Sequence, residues 1–176
     1  ERYGGFQGKR MHNRYIYSRF RPIRTWKEDS RNLTCALFLD ASHIMAATTG
    51  GQLLQYDALT GDIVDEWSDS HSNAIASMGS TRDCRTFLTC SPEDAECKVW
   101  RHFPETSELN LCDLYPSIQN AVFSNANDTL LGTSMLGAVL YNIETGKKMR
   151  SFSDHMSQPY PRTNSAFSMD DQLVLC

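Results

Sequence analysis

The sequence predicts an all-β fold made of repeated four-stranded antiparallel sheets, and two observations lead to this prediction. The stretch from Leu54 to Gly61 is echoed by the stretch from Leu140 to Gly146, and both place an aromatic residue five positions before the glycine of a Thr-Gly turn. Short segments that mix apolar and polar residues also recur between polar turns along the chain. This pattern is typical of strands joined as a meander.

The aromatic residues give the period of the repeat. Tyr56, Trp100 and Tyr141 are 44 and 41 residues apart, which agrees with the period of roughly 40–45 residues of WD40 propeller blades. The sequence therefore predicts a partial WD40 β-propeller with about three four-stranded antiparallel blades plus the start of a fourth. Since propellers normally close with about four to eight blades, we expect the chain to form part of a propeller.

The individual strands follow this period in order. First strands are expected to end near Phe38, Phe123 and Phe167, and the turns place fourth strands at Ile63–Trp67 and Lys148–Phe152. Second strands are expected at 43–47, 86–90 and 129–133. The predicted organisation is a basic N-terminal arm with an outer edge strand over 1–32, followed by a propeller portion over 33–176, whose blades cover about 33–67, 74–112 and 120–152, with the start of a fourth at 164–176.

The N-terminal arm is strongly basic. Residues 1–31 carry a net charge of +6 and the remainder carries −10. Residues 15–26 alternate like a strand, and Pro22 confines that strand to an edge because proline cannot donate to a central ladder. The charge favours an arm that lies on its own acidic body, with binding to nucleic acid or to an acidic partner as the alternative. Two compatible interpretations of the strand follow: it is an outer strand contributed to the last blade, which closes the ring across the chain ends, or it presents a basic surface that docks a partner. The candidate partner surface is Arg19, Arg21 and Arg24, because guanidinium groups pair bidentately with carboxylates.

Composition excludes several classes of protein. With 40% hydrophobic and 22% charged residues, the chain is expected to be globular rather than disordered. Its longest apolar run, Cys35–Leu39, is far shorter than the roughly 20 residues of a membrane helix. Residues 1–10 lack the apolar region of a signal peptide.

No sequence motif indicates catalysis. The phosphate-binding, zinc-protease and nucleophile-elbow patterns are all missing from the sequence. His71 and His155 each follow a predicted fourth strand, where a blade-linking histidine is expected, and the sequence offers no suitable neighbours for a metal or catalytic role. Acid pairs such as Glu93 and Asp94 are interpreted as solvated turn charges. We therefore predict no catalytic, cofactor-binding or metal-binding residues and no cofactor.

The six cysteines are predicted to be free. None of them has the C-x-x-C spacing of zinc or redox motifs, and most lie in apolar stretches. We therefore expect buried thiols in a reducing compartment.

The segment Ser18–Lys27, with the run Ser-Arg-Phe-Arg-Pro, makes the sequence more specific. It resembles the segment that leads into the WD40 propeller of the Vpr-binding protein family, also called the DDB- and cullin-4-associated factor 1 family. The resemblance continues through 33–36, 49–53, Tyr56, Gly61, 71–75, 141–148 and 171–175.

The resemblance implies a function. Members of this family are substrate receptors of cullin-4–RING ubiquitin ligases, and their propeller docks on the damaged-DNA-binding adaptor protein partly through Trp-Asp-x-Arg motifs in later blades. None of Trp26, Trp67 and Trp100 is followed by Asp, so no adaptor-contact residue is assigned. The resemblance implies a non-catalytic receptor in protein ubiquitination, with the adaptor, the cullin-4 ligase and protein substrates as partners, and no membrane or direct nucleic-acid binding. It implies a nuclear location, with the cytoplasm as a second compartment. The alternative is a generic WD40 scaffold unrelated to ubiquitin ligation.

Overall fold

The computed structural model describes residues 25, 31–152 and 165–175. These residues form three four-stranded antiparallel sheets and one two-stranded sheet. The first sheet contains β1 (Leu33–Phe38), β2 (His43–Thr48), β3 (Leu53–Asp57) and β4 (Ile63–Trp67). The second contains β5 (Ser77–Ser80), β6 (Thr86–Ser91), β7 (Glu96–Phe103) and β8 (Glu108–Pro116). The third contains β9 (Asn120–Phe123), β10 (Thr129–Ser134), β11 (Gly137–Asn142) and β12 (Lys148–Phe152), and β13 (Ala166–Phe167) pairs with β14 (Val174–Leu175).

In each four-stranded sheet the strands are hydrogen-bonded to their neighbours in sequence order. This is the meander expected from the sequence, and it confirms the predicted all-β class of antiparallel four-stranded sheets. We refer to the three sheets as blades one, two and three. The predicted domain boundaries themselves, including the 1–32 arm, stay predictions.

The repeated Thr-Gly turns have matching local structure. In blade one, Asp57 Oδ1 accepts hydrogen bonds from the backbone N–H groups of Leu59 and Thr60, both at 2.7 Å. In blade three, Asn142 Oδ1 accepts one from Thr145 N at 2.8 Å. The glycines that end these turns have φ angles of 83° and 65°, a backbone conformation that glycine adopts at little cost. The two similar sequence segments therefore form the same type of turn.

Two apolar cores lie between the blades. Met45 and Leu53 of blade one pack with Phe87 and Trp100 of blade two. On the opposite face of blade two, Leu88 and Val99 pack with residues of blade three such as Leu130. The first strands β1, β5 and β9 contact one another in turn. Each blade is thus held mainly by burying its apolar faces against its neighbours.

The aromatic residues that set the period lie on the third strands β3, β7 and β11, but their burial differs. Trp100 is only 8% exposed, whereas Tyr56 and Tyr141 are half-buried. Strand β8 runs to Pro116, beyond the predicted end of blade two at Cys112, because β7 is itself long and pairs with β8 as far as Pro116.

The cysteines only partly follow the prediction. Cys35, Cys84, Cys90, Cys97 and Cys112 are all free thiols. Cys90 and Cys97 are buried, but Cys35 and Cys84 are half-buried and Cys112 is exposed on the outer strand β8. Over the described ranges, no helix has the length and apolar character to cross a membrane.

Candidate functional site

A buried polar network lies where the chain passes from blade one to blade two. The indole Nε1 of Trp100 donates a hydrogen bond to Thr89 Oγ1 at 2.8 Å. The same oxygen lies 2.8 Å from Nε2 of His71, which belongs to the linking loop. Nδ1 of His71 in turn lies 3.4 Å from Asp94 Oδ2, a long contact for a hydrogen bond. The network thus joins the linking loop, β6, β7 and the turn between those two strands.

The donors in this network can be ordered chemically. An indole N–H only donates, so the Thr89 oxygen accepts from Trp100 and its own proton is free to go to His71 Nε2. A carboxylate only accepts, so Asp94 favours the tautomer of His71 with its proton on Nδ1. Burial, with the nearby Lys98 ammonium, lowers the pKa of His71, while Asp94 opposes this shift. The neutral imidazole is therefore the form that fits the network.

Asp94 fixes the linking loop rather than facing solvent. Its Oδ2 accepts from the backbone N–H groups of Ser72 and Asn73 at 2.9 and 3.2 Å, and its Oδ1 accepts from the Asn73 side chain at 2.6 Å. The interpretation of Glu93 and Asp94 as solvated turn charges is therefore wrong for Asp94. The reason is that the loop after blade one folds over the turn between β6 and β7, which no local pattern indicates.

The expectation that His71 lacks metal-type neighbours is also wrong. His71, Asp94 and Glu96 place one ligand atom each within 4.8 Å of one another. However, the ammonium of Lys98 lies 3.5 Å from Glu96 Oε2 and donates to the carbonyl of Ser70 at 2.8 Å. A cation is therefore already present beside this group, and Asp94 is already hydrogen-bonded by the loop. The contacts of these residues link the two blades.

A cavity of about 320 Å³ lies at the opposite end of blade two. Buried His102 and exposed Phe103 line this cavity. Its walls also include two carboxylates and two guanidinium groups, which belong to Asp83, Glu105, Arg85 and Arg101.

Several predicted site residues lie outside the described residues. They are Arg19, Arg21 and Arg24 of the candidate partner surface, the outer edge strand over 15–26 apart from residue 25, and the second linking histidine, His155. Of the two predicted linking histidines, the structure describes His71, which has the predicted structural role. Sequence reasoning missed Thr89 and Asp94. Their positions in the repeat could have indicated them: Thr89 lies late in the second strand β6, and Asp94 lies just before the third strand β7.

Comparison with known proteins gives weak but extended similarity. No family model matches the chain. It is 25% identical over 176 residues to protein mahjong of Drosophila melanogaster and 23% identical over 183 residues to DDB1- and CUL4-associated factor homolog 1 of Arabidopsis thaliana. These alignments cover 97% and 98% of the chain but only 11% and 9% of the relatives, so the chain spans about a tenth of their length. It is also 27% identical over 127 residues to nuclear distribution protein PAC1 of Candida glabrata, which covers 64% of the chain and 27% of that protein.

Solved structures give the fold. The RRP9 WD40 repeats match 77% of the chain and 42% of that structure, with a TM-score of 0.62 and 13% identity. The β-propeller domain of Cps50 (Swd1) from Myceliophteria thermophila matches 72% of the chain and 44% of that domain, with a TM-score of 0.65 and 17% identity. Together with the antiparallel four-stranded sheets, these matches show that the chain has the fold of part of a WD40 β-propeller.

Proposed function

We propose that the chain is part of a non-catalytic substrate receptor of a cullin-4–RING ubiquitin ligase and acts in protein ubiquitination. The observation that carries this proposal is the extent of the similarity to the Arabidopsis DDB1- and CUL4-associated factor homolog 1, which covers 98% of the chain. Blade periodicity alone would account for similarity over the blades. The alignment extends beyond them, into the segment that holds the Ser-Arg-Phe-Arg-Pro run.

The architecture suits a binding role. Packed blades hold loops at both ends of the sheets in fixed positions, and the network around Thr89 fixes one such loop. In the proposed receptor, Arg19, Arg21 and Arg24 contribute a cationic surface that holds an acidic partner. The expected partners are the damaged-DNA-binding adaptor, the cullin-4 ligase and protein substrates, and the expected location is the nucleus.

Affinity purification tests this function. The full-length protein that contains this chain would be expressed with a tag in cells and purified from nuclear and cytoplasmic fractions, with an unrelated WD40 propeller as the control bait. We expect the damaged-DNA-binding adaptor and cullin-4 to co-purify with it from the nuclear fraction and to be absent with the control. Recovery of the folded full-length protein without either protein would contradict the proposal.

A second candidate function is that of a generic WD40 scaffold. The similarity to nuclear distribution protein PAC1 favours it, because a relative whose name carries no cullin-4 association matches 64% of the chain at 27% identity. A scaffold would co-purify with stable partners from which the adaptor and cullin-4 are missing. The same purification therefore separates the two functions.

A further inference from the structure

Two buried cysteines face each other inside blade two. Cys90 on β6 pairs directly with Cys97 on β7 in the antiparallel ladder. Both side chains are fully buried, and both are free thiols. Directly opposed residues in such a ladder have Cα atoms about 4.5–5.5 Å apart, which lies within the range of about 4.4–6.8 Å that disulfides require. The backbone is therefore already placed for a covalent bridge.

The two thiols are chemically unequal. The side chains of Cys90 and Cys97 interact, and this interaction lowers the pKa of Cys90, although burial opposes the shift. The same interaction, together with burial, raises the pKa of Cys97 well above its usual value. Since the thiolate is the nucleophile of cysteine chemistry, Cys90 is the sulfur suited to attack, and Cys97 is positioned to resolve the product.

We propose that Cys90 and Cys97 form a site of reversible oxidation, at which a hydroperoxide converts the two thiols into a cross-strand disulfide. The sulfur of Cys90 attacks one oxygen of hydrogen peroxide and the O–O bond breaks, which gives a sulfenic acid and one water. The sulfur of Cys97 then attacks the sulfur of Cys90, an S–S bond forms, and the hydroxyl leaves with the Cys97 proton as a second water. A dithiol reductant reverses the reaction.

The consequence concerns the contact between blades two and three. Cys90 and Cys97 belong to the core that also contains Ala121 and Leu130 of blade three. Forming the bridge draws the two sulfurs together and away from these neighbours. Because packed cores respond to changes as small as one methylene group, we expect oxidation to alter the fit between the two blades.

The wild-type chain tests the site directly. The reduced, folded chain would be treated with hydrogen peroxide and freed of excess peroxide, then unfolded in urea while its remaining thiols are blocked with iodoacetamide. The product would be digested with a glutamate-specific protease that cuts after Glu93 and Glu96, between the two cysteines. We expect the Cys90 and Cys97 peptides to remain joined until a reductant is added. Exposed Cys112 serves as the internal comparison, because it reacts without needing access to the core.

Two results would overturn the proposal. One is oxidation of Cys112 while Cys90 and Cys97 both carry the blocking group. The other is a bridge from Cys90 to Cys35. Burial raises the pKa of Cys35, and Cys90 raises it further by a smaller amount, so the two cysteines are neighbours.

Single variants test which sulfur attacks. Cys97→Ser removes the resolving thiol, so peroxide should leave a sulfenic acid at Cys90 that dimedone labels. Cys90→Ser removes the nucleophile, so Cys97 should stay unlabelled. Equal labelling of the two variants would overturn the assignment of Cys90 as nucleophile. If a variant fails to fold, the digest of the wild-type chain still decides whether the bridge forms.

Discussion

At the scale of single residues, one hydroxyl group connects two blades. Thr89 Oγ1 contacts both Trp100 Nε1 and His71 Nε2, and Trp100 is itself part of the core between blades one and two. A buried polar group that loses its partner costs about 1–3 kcal/mol. Thr89 therefore stabilises the fold mainly by giving Trp100 Nε1 and His71 Nε2 a hydrogen-bond partner.

Thr89→Val tests this role, since valine has nearly the same shape and no hydroxyl group. The change leaves the indole N–H of Trp100 and Nε2 of His71 without their shared partner, so we expect the free energy of unfolding to fall by at least about 1–3 kcal/mol. Urea denaturation followed by tryptophan fluorescence measures it. Thr106→Val, on an exposed turn, is the matched control and should change stability by less than about 0.5 kcal/mol. Equal losses in the two variants would contradict a special role for Thr89.

The protonation of His71 predicts how stability depends on pH. Because the folded state lowers the pKa of His71 below its ordinary value of about 6.5, the unfolded chain binds this proton more readily. The contribution of His71 is therefore fully present above about pH 6.5 and is lost as pH falls through the lowered pKa of the folded state. We expect His71→Gln, which cannot titrate, to lose less stability than the wild type between about pH 7.5 and 5.5. Identical losses in paired urea titrations would refute this account.

At the scale of strands and turns, local signals were enough for much of the fold. The predicted fourth strands match β4 and β12, and the second strands differ by one residue at their ends, because the turns that limit them are set by nearby side chains such as Asp57. Contacts between distant segments were not predictable in this way. Asp94 bonds Ser72 and Asn73, which lie 22 and 21 residues away, and no period in the sequence records such a contact.

The turn after β2 depends on a glycine for steric reasons. Gly51 has a φ of 78°, and its carbonyl accepts a hydrogen bond from His71 N at 2.9 Å. A Cβ at this position would collide with the carbonyl oxygen of His71 and lie 2.8 Å from that of Asn73. Both obstacles are backbone atoms of the linking loop, so no side-chain rotation can relieve the collision.

We therefore expect Gly51→Ala to destabilise the chain by more than the roughly 1–2 kcal/mol that left-handed backbone costs an L-residue. Gly50→Ala is the neighbouring control, because a Cβ there meets only side-chain atoms at 3.7 Å. Thermal unfolding of the two variants measures the difference. A melting temperature of Gly51→Ala equal to that of Gly50→Ala would show that the loop moves aside freely.

At the scale of the whole molecule, charge is unevenly distributed. Residues 31–73 contain six acidic residues and a single basic residue, Arg31, which pairs with Glu66 at 2.9 Å. Residues 117–152 contain only two acidic residues against three basic ones. The proposed cationic surface of the N-terminal arm can therefore bind acidic residues of its own chain or of a partner, and these two cases predict different experimental outcomes.

Replacing Arg19, Arg21 and Arg24 by glutamate distinguishes binding to the chain's own acidic residues from binding to a partner. An exposed ion pair contributes only about 0–1 kcal/mol, so we expect little change in the melting temperature. If the three arginines hold an acidic partner, the reversal should reduce recovery of the damaged-DNA-binding adaptor in a pull-down at low salt. Recovery with the wild type should itself fall as salt rises, because the screening length shrinks from about 10 Å at 0.1 M to about 3 Å at 1 M.

The matched control makes the same change of charge elsewhere. Lys147, Lys148 and Arg150 are exposed on blade three, and their reversal to glutamate alters the net charge equally without touching the arm. We expect this control to retain the adaptor at low salt, since steering by net charge alone would weaken both variants alike. If the adaptor is recovered equally with both variants and the wild type at every salt concentration, the three arginines do not form the partner surface. If the melting temperature of the arm variant falls instead while adaptor recovery holds, the arm lies on its own acidic blades.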